Sequence, residues 1–458
     1  MNHRDRALTL RKCRFSAGRT FFAMIFGLVM VLAPSCRSIP NPRGLPDLVV
    51  QHPTHPVLII PGILGTRLKD PVDNRIVWGK AFDLSALSFH TSLLGKGKDG
   101  LELPIDSLKL TEDRDHLLPD GIVDRFTVLP HVLTVRVYGT LLKGLNACGY
   151  RPGQLHQCTA SSNAYVFYYD WRRDNMEQVH LLHQRIMDLK AAYNNPHLKV
   201  DIVAHSMGCL IVYYYALYGD VDVLNADQAP EPTYAGTANI RRIVFMAPPF
   251  HGSTKALDYL QNGYRVGLRK ILKEALFTMP SVYQLLPDSN PLMTDNGQPA
   301  EADLYDPDTW TKLGLGFFSP KHQRKFIKEC RLFYPDNWQE QSAVFEKKAV
   351  RFLTTVLHRA KIFHQALNHP APNLPTQLII SDQYKTMNTV IMRRVGKETR
   401  LIFNRRGTRK PGDRTVVRGS SFVKGADKWK VVTVSSKHDR IPSDSVAMKN
   451  TIRFLSRE

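Results

Sequence analysis

The sequence contains few cysteines, no pattern typical of a metal site and only a short apolar run near its start. Cysteine occupies 6 of 458 positions, and its spacing relative to histidine does not match known zinc motifs. The apolar run at residues 21–33 is 13 residues long, whereas a membrane-spanning helix needs about 20. The sequence therefore predicts no metal and no cofactor, and this run is too short to span a bilayer.

The first residues have the features of an export signal. Residues 1–20 are basic and precede the apolar run, as in a secretory signal peptide. Residues 32–36, Leu-Ala-Pro-Ser-Cys, resemble a bacterial lipobox, although Ala33 stands where leucine is usual. We expect a signal peptide in residues 1–36, lipidation of Cys36 and a proline-containing tether over residues 37–54. The protein would then be anchored in the bacterial cell envelope. A plain secretory signal with an incidental cysteine, giving a periplasmic or secreted protein, is the alternative.

Two cysteines lie close together in a short polar segment. Cys148 and Cys158 flank a loop of the size that closes readily, and we expect them to form a disulfide in an oxidising compartment. Cys209 lies just inside a predicted helix, where we expect a small buried apolar residue.

The formal net charge of +21 favours anionic partners. The basic residues are scattered and no nucleic-acid-binding module is recognisable, so nucleic acid is not an expected partner. An anionic lipid surface fits the charge better. The stretch 259–277 is a candidate for this contact, because it is amphipathic and carries Arg265, Arg269, Lys270 and Lys273. A solvated helix face and a role of the charge in solubility are the alternatives.

The residues around Ser206 have the pattern of a nucleophile elbow. Residues 200–203 predict a buried parallel strand, and the apolar residues from Met207 onward follow a helical pattern. Between them lies Ala-His-Ser-Met-Gly, in which small residues flank a serine held in strained backbone geometry. Such a turn exposes the serine hydroxyl and directs the Met207 N–H at the reacting centre. A chance match in a loop is the alternative, which the flanking strand and helix disfavour.

Chain order supplies the remaining candidates for a serine hydrolase site. The predicted strand that ends near residue 60 leads into a glycine-containing loop, whose Ile63 N–H is the candidate second oxyanion donor. In α/β-hydrolases the acid follows the serine and precedes the histidine. Asp413 and His438 occupy loops after late strands in that order. Two other acids remain alternatives to Asp413, namely Asp382 and Asp439.

Six segments resemble, in order, the motifs of the lecithin:cholesterol acyltransferase family, which includes lysosomal phospholipase A2 and phospholipid:diacylglycerol acyltransferases. They are 61–68 (Pro-Gly-Ile-Leu-Gly-Thr-Arg-Leu), 169–173 (Tyr-Asp-Trp-Arg-Arg), 204–210 (Ala-His-Ser-Met-Gly-Cys-Leu), 247–253 (Ala-Pro-Pro-Phe-His-Gly-Ser), 279–287 (Met-Pro-Ser-Val-Tyr-Gln-Leu-Leu-Pro) and 412–416 (Gly-Asp-Arg-Thr-Val). The last departs from the family's G-D-G-T-V, because Arg414 replaces the second glycine. The similarity extends from His55 to nearly the end of the chain.

This resemblance implies an α/β-hydrolase fold with a mostly parallel central sheet. Residues 55–254 and 373–458 would form the core, with a lid insertion at about 70–135 and a helical cap at 255–372. The implied substrate-binding residues are Leu64, His205, Phe250 and His251. His251 precedes every candidate acid in the chain, so we assign it to the pocket wall rather than to the general base. We expect Asp170 and Arg172 to form a structural ion pair.

These features predict a serine acyl hydrolase or O-acyltransferase that acts on lipid esters, phospholipid or acylglycerol, through an acyl-enzyme on Ser206. The expected partners are a lipid substrate and an anionic membrane surface. One alternative is a serine esterase acting on a soluble or polymeric ester. The other is a catalytically silent hydrolase fold that serves as an envelope binding module, which the intact Ser206, Asp413 and His438 disfavour.

Overall fold

The computed structural model describes residues 53, 55–79, 100–106, 108–111, 115–123, 125–129, 133–266, 269–396, 398–404 and 407–457. The predicted signal peptide with Cys36, the tether apart from residue 53, and residues 80–99 of the predicted lid lie outside these ranges. Within the described ranges, no helix combines the length and the apolar character needed to cross a membrane.

The described residues form strands and helices that are interspersed along the chain. In chain order the strands are β1 (Val57–Ile60), β2 (Thr66–Lys69), β3 (Ile76–Trp78), β4 (Leu118–Ile122), β5 (Arg125–Leu129), β6 (Leu133–Arg136), β7 (Pro152–Gly153), β8 (Ala164–Val166), β9 (Val200–His205), β10 (Ile240–Met246), β11 (Tyr264–Val266), β12 (Arg269–Ile271), β13 (Leu292–Thr294), β14 (Thr376–Ile380), β15 (Tyr384–Met387), β16 (Val390–Val395), β17 (Glu398–Ile402), β18 (Arg409–Gly412) and β19 (Lys430–Thr433). The α-helices are α1 (Gly139–Ala147), α2 (Asn175–Ala192), α3 (Met207–Tyr218), α4 (Thr254–Asn262), α5 (Lys273–Phe277), α6 (Pro280–Tyr283), α7 (Pro307–Leu313), α8 (Pro320–Phe333), α9 (Trp338–Leu367) and α10 (Ser445–Leu455).

A parallel sheet forms the centre of the molecule. Among the described residues it has seven strands in the order β19-β14-β10-β9-β1-β8-β7, and every neighbouring pair is parallel. Every residue of β1, β9 and β14 is buried, as expected for parallel strands covered on both faces. This architecture confirms the predicted α/β class with a mostly parallel sheet.

Alternate residues of the central strands belong to two apolar clusters, one on each face of the sheet. Leu58, Ile60 and Ile202 pack with helices α2 and α3 on one face of the sheet. Val57 and Ile59 pack with helices α1 and α10 on the other face. This period-two division is what a strand covered on both sides requires, since successive side chains point to opposite faces.

The expected disulfide is not formed, because its two cysteines lie on opposite faces of the sheet. Both Cys148 and Cys158 carry free thiols. Cys148 is buried at the end of α1 among the residues of the α1 and α10 side. Cys158 packs against the cluster on the α2 and α3 side. Short spacing in the chain therefore did not mean that the two side chains face each other. Cys209 is buried, as predicted.

The stretch 259–277 is not the continuous amphipathic helix that its pattern suggested. Helix α4 ends at Asn262, and Gly263 has φ +76°, a conformation that favours glycine and stops the helix. Strands β11 and β12 then form an antiparallel hairpin, and α5 begins only at Lys273. The basic residues of this stretch therefore do not share one helix face. Farther along the cap, α9 is a continuous helix of 30 residues.

The predicted Asp170–Arg172 ion pair is present and fully buried. Arg172 Nη2 lies 2.6 Å from Asp170 Oδ2, and its Nη1 reaches Asp115 Oδ2 at 2.7 Å. Arg173 joins the same group of charges through Asp170, at 3.0 Å. These contacts connect the loop after β8 to the insertion before β4.

Candidate active site

Ser206 occupies a sharp turn between the end of β9 and the start of α3. Its backbone has φ +54° and ψ −126°, a strained conformation for a residue with a side chain. Gly208 allows the turn to pack closely, because a Cβ there would lie only 2.6 Å from the Pro61 carbonyl oxygen. The elbow predicted from the sequence is thus formed by the strand, turn and helix that the pattern requires.

The structure brings Ser206, His438 and Asp413 into one hydrogen-bonded chain. His438 Nε2 lies 2.8 Å from Ser206 Oγ, and His438 Nδ1 lies 2.7 Å from Asp413 Oδ2. A carboxylate only accepts hydrogen bonds, so Nδ1 carries the ring proton and Nε2 accepts from the serine hydroxyl. This is the arrangement that removes a proton from serine and stabilises the resulting imidazolium.

The Asp413 carboxylate is fixed by its own backbone loop. Its Oδ1 accepts hydrogen bonds from the Thr415 and Val416 N–H groups at 2.9 and 2.7 Å, and the residue is only 2% exposed. The His438 N–H donates to the Asp413 carbonyl at 3.0 Å, which joins the two loops. His438 Nδ1 is bonded to Asp413 rather than to either alternative acid: Asp382 accepts from Gln383 at 2.6 Å, and the Asp439 carboxylate lies 3.7 Å from Arg440.

The electrostatic setting of His438 suits a general base. Burial disfavours its charged form, but the Asp413 carboxylate outweighs this effect and raises the pKa of His438 above its ordinary value. A base with a raised pKa accepts a proton more readily, provided that the pH is high enough to leave the ring neutral.

The loop after β1 supplies the second candidate oxyanion donor. The Gly65 N–H donates to the Gly62 carbonyl at 3.0 Å, and Leu64 has φ +67°, which defines a tight turn over residues 62–65. In such a turn the second residue, Ile63, has no acceptor within the turn. Met207 is the first residue of α3, so its N–H has no acceptor within the helix. Because β1 and β9 are neighbours in the sheet, both N–H groups lie at the same sheet edge.

Tyr138 is a site residue that the sequence analysis missed. Its hydroxyl accepts from the Gly62 N–H at 2.8 Å and donates to His205 Nδ1 at 2.8 Å. His205 Nε2–H in turn donates to the His438 carbonyl at 3.0 Å. Burial, reinforced by His438, holds the pKa of His205 well below its ordinary value, so the ring is neutral and fits these donor and acceptor roles. No motif marks Tyr138, since its partner is 67 residues away in the chain.

A cavity of about 660 Å³ opens above Ser206. Apolar side chains from the oxyanion loop, the insertion and the cap form much of its wall, and charged side chains form the remainder. The predicted substrate-binding residues Leu64 and His205 are both part of this wall. Its charged side chains, apart from the histidines, are Lys255, Arg265, Arg414 and Asp439.

Phe250 and His251 do not line this cavity, contrary to the prediction. Phe250 is buried in an aromatic cluster with Tyr213 and Trp429, at centroid distances of 4.9 and 6.0 Å. His251 is bound by Asp288 through Nδ1 and donates through Nε2 to the Phe422 carbonyl at 2.8 Å, beside a separate polar cavity. The turn at 247–253 contributes other residues, Pro249 and Ser253, to the cavity wall, while Phe250 packs in the core.

Similarity to a solved structure with a TM-score above 0.5 supports the fold. The crystal structure of the Tle4–Tli4 complex matches with a TM-score of 0.53 at 12% identity, over 88% of this chain and 98% of that chain. Phospholipase PlaB from Legionella pneumophila, in complex with thio-NAD, aligns at 11% identity with a TM-score of 0.28, over 70% of this chain and 55% of its own. No curated protein sequence matches the chain.

The sequence model of one family, described as lecithin:cholesterol acyltransferase, matches residues 128–423 of the 458. The match is shorter than the similarity predicted from the motifs, since Ile63 and His438 lie outside it. It includes Ser206, Asp413 and the cap. A match over more than half of the chain establishes the relationship, and the protein is an enzyme that acts on acyl esters. The chain belongs to the lecithin:cholesterol acyltransferase family.

Proposed function

We propose that the protein is a serine acyl hydrolase or O-acyltransferase that acts on lipid esters through an acyl-enzyme on Ser206. The observation that carries this proposal is the continuous hydrogen-bonded chain from Ser206 through His438 to Asp413, with the serine on a strained elbow. The mixed apolar and charged cavity above the serine fits a substrate that has both an acyl chain and a polar part.

In the proposed reaction His438 Nε2 takes the Ser206 proton as Oγ attacks the ester carbonyl carbon. General base catalysis of this kind contributes roughly 10²–10⁴ in rate. Asp413 keeps the imidazole in the required tautomer and stabilises the imidazolium that forms. The proton then passes from Nε2 to the leaving alkoxide, which departs as an alcohol and leaves the acyl group on Ser206.

The negative charge on the tetrahedral intermediate would be stabilised by the Ile63 and Met207 N–H groups. Each such donor is worth on the order of 3 kcal/mol in the transition state. In the second half of the reaction His438 Nε2 takes a proton from water or a lipid hydroxyl, whose oxygen attacks the acyl carbon. The bond between that carbon and Ser206 Oγ then breaks, and the proton returns from Nε2 to Oγ. Water gives hydrolysis, and a lipid hydroxyl gives acyl transfer.

Active-site labelling combined with lipid analysis tests this proposal. A fluorophosphonate probe should label the wild-type protein at Ser206 and leave the Ser206→Ala variant unlabelled. Mass spectrometry of defined phospholipids and acylglycerols incubated with the enzyme, with and without an added alcohol, would separate hydrolysis from transfer. Equal turnover of a monomeric short ester and of micellar lipid would favour an esterase for soluble or polymeric esters. Absence of labelling and turnover would favour a silent binding protein.

We propose further that the enzyme works at an anionic membrane surface of a bacterial envelope, after export by its leader and lipidation of Cys36. The support is the basic and apolar leader, the lipobox-like segment and the net charge of +21. Mass spectrometry of the mature protein should find an acylated Cys36 as its first residue. A Cys36→Ser variant with the same membrane distribution and migration as wild type would contradict lipidation but not export.

A further inference from the structure

The cavity above Ser206 has an excess of positive charge. Three basic side chains and one acidic side chain are part of its wall, not counting the histidines. Lys255 is neutralised by Asp258, with Nζ and Oδ2 2.9 Å apart. In the part of the chain that the structure describes, neither Arg265 nor Arg414 forms an ion pair with a carboxylate. Among the described residues of the wall, Asp439 is the single opposing charge. Its carboxylate lies 3.7 Å from the guanidinium of Arg440, which is not part of the wall.

Arg414 stands at a backbone position that favours glycine. Its φ is +84°, and the related motif has glycine at this place. The residue is exposed, so packing in the core does not account for a strained arginine here. Strain of this kind in a site wall points to a role of the side chain in function.

The Arg414 side chain is held in a defined position. The backbone N–H of Arg414 donates to Thr386 Oγ1 at 2.8 Å, which fixes the backbone of the turn. Its guanidinium carbon lies 5.0 Å from the centre of the Tyr384 ring, within the range of a cation–π contact. An arginine ordered in this way loses little conformational freedom when it binds an anion. Guanidinium groups also bind phosphate with two parallel hydrogen bonds.

The position of Arg414 relates the charge to the reacting ester. Arg414 directly follows Asp413, the partner of His438, and shares the cavity wall with Ser206. In a phospholipid the phosphate is separated from the acyl esters by only a few bonds of the glycerol. We propose that Arg414 and Arg265 form a subsite for the anionic headgroup of the substrate, so that the enzyme prefers phospholipids of net negative charge over zwitterionic phospholipids and acylglycerols. This inference rests on the proposed esterase activity at Ser206.

Monomeric substrates test the subsite without interference from membrane charge. The substrates are dihexanoyl phosphatidylglycerol, dihexanoyl phosphatidylcholine and dihexanoylglycerol, each below its critical micelle concentration. The measured quantity is kcat/KM for dihexanoyl phosphatidylglycerol divided by kcat/KM for dihexanoyl phosphatidylcholine. In Arg414→Gln this ratio should fall about tenfold, as expected for the loss of one charge-assisted hydrogen bond.

Arg418→Gln is the matched control, because it removes the same charge from the same loop region. Arg418 is exposed, stacks on Phe422 and is not part of the cavity wall, so its variant should keep the wild-type ratio. Arg414→Lys should retain part of the preference. Arg414→Gly, which relieves the positive-φ strain, should fold at least as well as wild type and lose the preference.

The outcomes separate this inference from the function on which it rests. Equal kcat/KM of the wild type for all three lipids, or equal ratios for Arg414→Gln and Arg418→Gln, would overturn the subsite and leave the esterase intact. If the wild type cleaves no ester, the proposed function is wrong. Calorimetry with sn-glycerol 3-phosphate then decides the anion site separately. If sn-glycerol 3-phosphate binds the Ser206→Ala variant and does not bind the Ser206→Ala, Arg414→Gln double variant, the anion site is supported. If both variants bind it equally, or neither binds it, the anion site is overturned.

Discussion

At the scale of single residues, the proposed reaction depends on the contact between Asp413 and His438. Asp413→Asn should lower kcat on the order of 10⁴-fold, because the amide no longer holds the imidazole in the tautomer that accepts the serine proton. Thermal unfolding should change little by comparison with activity. Wild-type kcat in Asp413→Asn, together with loss of activity in Asp382→Asn, would identify Asp382 as the acid.

The same contact should set the pH dependence of the proposed reaction. His438 works as a base only when it is neutral, and Asp413 raises its pKa, so activity should fall as the pH drops through a value above the ordinary 6.5. In Asp413→Asn burial remains and the carboxylate is lost, so the pKa of His438 falls. A pH profile of kcat/KM on a soluble ester should therefore show its acidic limb at lower pH in the variant. A limb that stays in place would show that another group titrates.

Tyr138 offers a second prediction at the residue scale, because its hydroxyl links the oxyanion loop to His205. Tyr138→Phe fills the same space but leaves the Gly62 N–H and His205 Nδ1 without this partner. Unsatisfied buried groups of this kind cost about 1–3 kcal/mol in stability. We expect kcat on a short ester to fall about tenfold, with little change in KM, because the loop stabilises the transition state more than the substrate.

Tyr214→Phe is the control for that experiment. Its hydroxyl also donates and accepts in the core, to the Val221 carbonyl and from the Val223 N–H, both at 3.0 Å, but it does not line the Ser206 cavity. If Tyr214→Phe loses a comparable amount of stability but keeps its kcat, the fall in kcat of Tyr138→Phe is due to the position of Tyr138 beside the oxyanion loop. Equal kinetic losses in both variants would reduce Tyr138 to a structural residue.

At the scale of elements, the close approach of helix α3 to the loop after β1 sets the spacing of the two proposed oxyanion donors, Ile63 and Met207. An alanine Cβ at position 208 would lie 2.6 Å from the Pro61 oxygen and 2.8 Å from the Ile60 oxygen, so the loop and the elbow must separate. Displacement by about 1 Å costs on the order of 10²-fold in rate. Gly208→Ala should show that loss in kcat and a lower Tm.

The comparison variant for this prediction is Gly419→Ala. No atom lies within 4 Å of a Cβ built at Gly419, so that variant should keep both kcat and Tm. If Gly208→Ala and Gly419→Ala have the same kcat, the spacing between the loop after β1 and the elbow does not affect the rate.

The sequence was sufficient for elements whose signals are local. The strand before Ser206 and the helix after it are specified by neighbouring residues, and the order of Asp413 and His438 follows from chain topology. Prediction from the sequence failed where contacts between residues distant in the chain, or a single backbone conformation, determine the structure. The hairpin formed by β11 and β12 interrupts an amphipathic pattern that looked helical, because Gly263 ends α4. Phe250 lies in a segment that resembles a family motif and yet fills the core, and Tyr138 contacts residues far away in the chain.

At the scale of the whole molecule, the excess of basic over acidic residues, 62 against 41, should govern association with membranes. Each basic residue near an anionic surface contributes about 1 kcal/mol, and salt screens this attraction over a length of roughly 10 Å at 0.1 M. Binding of the mature protein without its lipid anchor to vesicles containing phosphatidylglycerol should weaken steeply as NaCl is raised. Phosphatidylcholine vesicles serve as the control. Binding that is insensitive to salt would point to apolar contacts instead.

The separation of the triad along the chain has a consequence for the timing of synthesis. His438 lies 232 residues after the serine that it contacts, and the last helix, α10, packs beneath the sheet and caps it through carbonyl contacts to Arg242. During translation the proposed nucleophile therefore emerges long before its proposed base. A growing or unfolded chain carries no competent site, so a lipid-cleaving activity would arise only once the final segment has docked. An exported enzyme of this design would leave the membranes of the cell that makes it untouched until folding is complete.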